Sequence, residues 1–391
     1  MTDKVDANSV AAGTAAAARA FTRRGLLKAS ALGGAALALT GPAILNPARA
    51  AGGEVRIFAW AGYVTDEMLD AFKSATGITP VRTEYGTNDE LLNQLRASQG
   101  GGFDIIWPTV DRVPNYVEFE LVQPIDEGKV AFDRLLPATI SGSAGMGGVI
   151  GGKRYIVPVD WGTEALTFHK QQAPLEYGKA SFGDLWKPDF AGKVTVRAHS
   201  ALAGLGLWLE SEGKLPAPYR DSFKDEATMT KNYDVIIAEA IKHKKNVGQF
   251  WSNENEAQGA FRANGCVIGQ TWDSSSLALS KEGLPFGYVA PKEGALAWME
   301  GVCLTSKAPN LDNAYAFINW LLTPEAGAML ANHMGYNSTV KGADALLTPE
   351  NKAFFAAAYP GDALDKLWWW PVQESWFVAK RNGYQDQFLS A

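Results

Sequence analysis

Three apolar runs alternate with two amphipathic ones near residues 55–108, and that alternation constrains the fold more than any other feature. Val55-Arg56-Ile57-Phe58-Ala59-Trp60 reads as a strand. Residues 65–76 follow with Met68, Leu69 and Phe72 at helical spacing, and Gly77 closes the helix. Residues 81–85 read as a second strand, Asn88 as the cap of a helix over 89–98, and Phe103-Asp104-Ile105-Ile106-Trp107-Pro108 as a third strand. Strand–helix–strand–helix–strand dictates a parallel sheet with helices packed on it. Ligands of such sheets sit beyond the carboxyl ends of the strands. Here Trp60, Tyr85 and Thr109 mark those ends.

The α/β pattern continues. A Gly-rich loop or hairpin over 142–152 leads into Tyr155-Ile156-Val157-Pro158. Asp160-Trp161-Gly162-Thr163 precedes a strand over 165–168. Further strands are expected at 194–196, ending at Arg197, at 266–269, running into Thr271-Trp272-Asp273, at 286–291 and at 302–304. Helical segments fill the span to about Lys244 and reappear at 314–322 and from Pro324.

The first fifty residues read as an export leader. Thr22-Arg23-Arg24-Gly25-Leu26-Leu27-Lys28 is a twin-arginine pattern, 29–48 is uncharged, and Ala48-Arg49-Ala50 supplies small residues at a cleavage site. Gly33, Gly34, Gly41 and Pro42 interrupt the leader's apolar stretch, which argues against a membrane anchor. The expected location is the periplasm, reached through the twin-arginine translocon.

Charge narrows the partners. The chain has 36 basic and 42 acidic residues, and without the leader's six and two it has 30 and 40. So acidic a globule is poorly suited to nucleic acid or anionic membrane. Cys266 and Cys303 sit in short apolar runs and fit either one disulfide or two buried thiols. His169, His199, His243 and His333 are scattered, so neither a metal site nor a cofactor is expected. An exported enzyme finds no support, because nucleophile-elbow, zincin, phosphate-loop and dinucleotide motifs are all missing from the sequence. A ferric-ion binder would need paired tyrosines and acids, whereas this chain places tryptophans at its strand ends.

The ordered segments Trp60-Ala61-Gly62-Tyr63, Gly162 after Trp161, Asp184-Leu185-Trp186-Lys187-Pro188, Trp272-Asp273, Pro291-Lys292-Glu293-Gly294 and Gly335-Tyr336 carry a resemblance. They resemble the spermidine/putrescine-binding periplasmic proteins of ATP-binding-cassette importers, over nearly all of the chain beyond the leader. The resemblance implies a periplasmic-binding-protein-like α/β fold, with two α/β lobes, a hinge and a central ligand cleft. By that analogy lobe 1 is 51–158 with 273–325, and lobe 2 is 159–272 with 326–391. It implies a monomer that closes over a small organic amine and delivers it to an inner-membrane permease. Trp60, Tyr63, Trp272, Trp298 and Tyr336 stand where the family grips its ligand with aromatic rings. Glu300 stands at an ammonium-binding carboxylate, Thr109 at a serine and Asp111 at a tyrosine, while Asp273 is a further candidate partner for an amine.

One departure bears on the ligand. After 194–196 the polyamine binders place two carboxylates, and this chain has His199 and Leu202 there with Arg197 nearby. A ligand with one amine and a neutral or anionic far end, held by Arg197, then competes with a short diamine. Trp161, Trp251, Trp370 and Gln373 are additional cleft candidates, Asp160 is read as a hinge hydrogen-bonder, and Glu254 and Glu256 are expected to face solvent.

Overall fold

The computed structural model describes residues 53–391, so the leader and its twin-arginine pattern lie outside the described residues. The chain forms two compact units. The first runs from the start of the described residues to Trp161 and adds Met299–His333 and Asn337–Leu347. The second comprises Gly162–Trp298, Met334–Tyr336 and Thr348–Ala391. Two long strands, Val157–His169 and Leu296–Thr305, therefore each contain a point where the chain passes from one unit to the other.

In the first unit, Glu54–Trp60 pairs in parallel with Thr79–Tyr85, from Glu54 opposite Thr79 to Trp60 opposite Tyr85. Ile105–Ile106 pairs in parallel on its other side, and Leu304 and Cys303 pair antiparallel with that short strand. The helix Asp66–Thr76 starts where the Thr65 hydroxyl accepts from the Met68 amide and stops at Gly77 with φ 74°. It buries Met68, Phe72 and Thr76, four residues apart on one face. Phe72 packs edge-on against Phe317, 5.1 Å between centroids. The next helix, Asn88–Ala97, is capped by Thr87 rather than by Asn88. The Gly-rich stretch becomes a helical turn over Pro137–Ser143, an irregular turn and a small hairpin pairing Val149–Ile150 with Lys153–Arg154.

In the second unit, Ile268–Trp272 runs antiparallel to the end of Val157–His169, with Trp272 opposite Glu164. Val194–Val196 runs parallel to Ile268–Trp272, and Val247–Phe250 runs parallel to Val194–Val196. Phe286–Val289 covers residues 166–169 from the other side. Trp368–Trp369 pairs with Leu296–Ala297, and Arg220 lies over the Trp368 ring at 4.9 Å.

The segment boundaries differ from the sequence expectation in two places. Residues 273–298 pack within the second unit, because Phe286–Val289 pairs with a strand of that unit. Most of 326–347 packs within the first, where Asn337 and Ser338 pair with Trp161 and Asp160. Both cysteines are unbonded and buried. Burial pushes the Cys266 thiol up to about 11. Among the described residues no helix is long and apolar enough to cross a membrane.

Candidate functional site

In the first unit the candidates gather at the carboxyl ends of the parallel strands. Trp60 ends Glu54–Trp60, and Tyr85 ends the neighbouring strand in register with it, 4.7 Å away between ring centroids. Tyr63 follows three residues on, its ring 6.4 Å from Trp60 and edge-on to Trp107 at 5.8 Å. Tyr85 donates its hydroxyl to the Trp107 carbonyl at 2.5 Å, and Trp107 donates its indole N–H to Asp160 at 3.2 Å. Each ring thus fixes the next. The Trp60 indole Nε1 is buried and finds no acceptor. A buried donor of that kind is a place for a ligand acceptor.

Thr109 is held by the residue that does not cap its helix. Because Thr87 takes the cap, Asn88 is free to donate from Nδ2 to Thr109 Oγ1 at 3.0 Å. Thr109 also forms an isolated antiparallel backbone bridge with Glu300. Glu300 and Asp111 are both buried, at 4% and 3% exposure. Carboxylates that deep suit a cationic partner. Asp111 lies in the short helical turn Val110–Arg112, whose Arg112 pairs with Asp89 at 2.7 Å.

The second unit holds two groups. In the first, Arg197, Trp251 and Trp272 each stand at the carboxyl end of one of three adjacent parallel strands. The Arg197 guanidinium lies over the Trp272 ring at 5.0 Å and the Trp251 ring at 5.3 Å. The two rings meet edge-on at 4.8 Å. Arg197 Nη2 donates to Glu164 at 2.9 Å and Nε donates to the Ser200 hydroxyl at 3.1 Å. Glu164 is fully buried and also accepts from Gln270 at 3.3 Å. Burial pushes its carboxyl above the ordinary value, while Arg197 pulls it down. Glu164 lies just outside the strand that the sequence predicts over 165–168 and inside the observed strand Val157–His169, so the sequence alone gives it no place at a site. The signal available was an acid directly abutting an apolar strand, which demands a buried partner.

The other group surrounds Trp298. Its ring meets Tyr336 edge-on at 4.6 Å, and its indole Nε1 is buried without an acceptor. Ser274 Oγ lies 3.0 Å from both Tyr336 Oη and a Glu254 oxygen. Glu254 also accepts from Ser275 and Gln258, so it turns inward rather than to solvent, whereas Glu256 is exposed. Asp273 accepts from the Thr163 amide at 3.2 Å, the Tyr359 hydroxyl at 2.7 Å and the Ser274 amide at 3.0 Å. Thr163 Oγ1 lies 2.6 Å from the hydroxyls of both Tyr288 and Tyr359. Burial pushes the Asp273 carboxyl from 3.8 up to about 7, against the pull of those donors and with a contribution from Glu254. Its oxygens are spent on protein donors, which makes Asp273 a structural carboxylate beside the chain's passage at Gly162.

Other candidates stand apart. His199 packs near Trp370, 6.4 Å between rings, and Gln373 accepts from Arg381 at 2.6 Å. Among the described residues no group of three or more His, Cys, Asp or Glu is arranged to hold a metal ion.

A two-unit α/β chain with aromatic rings at its strand ends and several buried carboxylates has the build of a solute binder. The fold is shared with the spermidine/putrescine ABC transporter substrate-binding protein PotD of Streptococcus pneumoniae, at TM-score 0.67 and 22% identity over 86% of this chain and 98% of that one. Residues 67–358 match the bacterial extracellular solute-binding protein family, and the chain belongs to it. Among its relatives, a spermidine/putrescine-binding periplasmic protein of Haemophilus influenzae is 27% identical, covering 82% of this chain and 84% of that protein. Another, from Escherichia coli K12, is 25% identical, covering 74% and 79%.

Proposed function

We propose that this chain is the periplasmic solute-binding subunit of an ABC importer. It takes a small amine-containing solute of the polyamine type, closes its two lobes on it and passes it to an inner-membrane permease. The observation that carries the reading is the ring set Trp60, Tyr63, Tyr85 and Trp107, with the buried carboxylates Glu300 and Asp111 in the same unit. Aromatic faces cover methylene surface and attract ammonium groups, at about 0.5–2 kcal/mol per contact. The names of the relatives support the same solute class. Export as a folded monomer through the twin-arginine route completes the proposal.

The mechanism is differential binding. A ligand that contacts more groups in the closed state than in the open one shifts the population toward closure. A thermal-shift screen tests the proposal. The panel holds putrescine, spermidine, cadaverine, 4-aminobutyrate, basic amino acids and quaternary amines. A ligand at a hundred times its Kd adds about 2.7 kcal/mol of stability. The expected result is a clear rise in Tm with at least one amine. No rise with any of them removes the amine reading.

A further inference from the structure

We infer that Arg197 fills a cation cage with the chain's own guanidinium, so that the solute brings a single ammonium and an acceptor at its far end. The inference deepens the proposed amine-binding role and rests on it for the word solute. The cage itself stands on geometry alone.

Its walls follow from strand register. Trp272 is opposite Glu164 across an antiparallel pair, and Arg197 and Trp251 end the next two parallel strands. The guanidinium then has an indole face at 5.0 Å, a second at 5.3 Å, a carboxylate at 2.9 Å and a hydroxyl at 3.1 Å. Those are the elements that recognise an alkylammonium or guanidinium ligand: aromatic faces for the charge and the methylenes, and an anion for the head. Gln270 locks the anion, donating to both Glu164 and the Ser200 carbonyl. The Trp251 indole N–H donates to the Gln270 carbonyl at 3.0 Å, which fixes that ring's orientation. The cage is prebuilt and already occupied.

Occupation by Arg197 has two consequences. A second ammonium arriving here finds the Glu164 carboxylate and both ring faces already taken by the Arg197 guanidinium. Conversely, Arg197 uses Nε and Nη2 on Ser200 and Glu164, and Nη1 makes no hydrogen bond among the described residues. The residue keeps 21% side-chain exposure, enough for that arm to meet a ligand. A guanidinium locked on one side is a preorganised donor on the other, and a carboxylate is the acceptor that matches it best. Chemically, the solute is an ω-amino acid or a conjugate with the same two ends.

Two readouts test this separately. Melting of Arg197→Ala with and without methylguanidinium, against NaCl of equal ionic strength, reads the cage. Emptying it strands the Glu164 carboxylate, so Tm falls by roughly 5–10 °C. Methylguanidinium restores at least half of the fall, and does nothing for the wild type or for Arg197→Ala with Glu164→Gln. No restoration in Arg197→Ala overturns the cage. Arg197→Gln, which keeps a donor toward Glu164, provides the same two arms where the alanine variant does not fold. Calorimetric titration of the wild type with putrescine and with 4-aminobutyrate, equal in chain length, reads the ligand end. The expected result is at least a tenfold preference for 4-aminobutyrate, lost in the Arg197 variants. A preference for putrescine, or a preference that survives in those variants, overturns the assignment. A wild type that binds neither ligand nor any other amine overturns the proposed function, while restoration by methylguanidinium still decides the cage.

Discussion

Gly162→Ala is the substitution whose cost can be worked most directly from the structure. Gly162 lies in the buried strand Val157–His169, where the chain enters the second unit. A Cβ there would stand 2.4 Å from Cζ2 and 2.8 Å from Cη2 of Trp298, and 3.1 Å from Asp273 Oδ1. The Gly162 backbone is outside the left-handed region, so alanine fails for lack of space alone. The Trp298 ring has little room to retreat, since it is 6% exposed and packed edge-on against Tyr336. Overpacking of this kind costs about 1–3 kcal/mol. A smaller ring at 298 opens the space, so Trp298→Phe and Gly162→Ala should compensate. Urea unfolding of both single variants and the double variant measures the coupling. We expect the double variant to be at least about 1 kcal/mol more stable than additivity predicts. Additivity to within about 0.5 kcal/mol would refute the steric argument. The displaced indole is also a proposed ligand contact, so Gly162→Ala should weaken amine binding as well as the fold.

Three further outcomes follow from the same geometry. Asp273 holds its proton more tightly in the native state than in the unfolded chain, so its contribution to stability is complete below about pH 4 and is lost as pH rises toward about 7. The loss reaches at most about 4 kcal/mol, and Asp273→Asn should flatten the stability–pH curve across that window; an unchanged slope would show that burial does not govern this carboxyl. Trp60→Ala should weaken amine binding by roughly tenfold, from the lost ring face and its buried N–H, while calorimetry showing unchanged affinity would take Trp60 out of the site. Cys266 and Cys303 are unbonded and buried, so Tm should not respond to dithiothreitol and neither thiol should react with maleimide until the protein unfolds; labelling of the native protein would contradict that burial.

Much of the architecture was legible because periodicity and caps are local. Met68 and Phe72 fall on one helical face, and Gly77 terminates it, whatever the rest of the chain does. The carboxyl ends of three strands were equally readable, which places Trp60, Tyr85 and Arg197 at them, whereas the strand expected at 266–269 stops short of Trp272, which ends the observed strand Ile268–Trp272. Helix capping was resolved only by the structure. Thr87 and Asn88 are adjacent and both suit the role, and the carboxamide is released to Thr109 only because threonine takes it. The pairing of Arg197 with Glu164 was out of reach for a different reason. It joins residues 33 apart in sequence on strands that are not neighbours, with Ile268–Trp272 lying between them, and it depends on a strand that begins at Val157 rather than near Ala165. Glu254 shows the same limit, since its inward turn depends on Ser274 and Ser275, twenty residues further along the chain.

The central claim is that this protein holds a small amine against aromatic faces and buried carboxylates. Isothermal titration of residues 51–391 tests it most directly, with Trp60→Ala run in parallel. The account predicts saturable one-to-one binding of an amine to the wild type, with affinity lower in the variant. Heat of dilution alone from every amine, or equal affinity in both proteins, would contradict it.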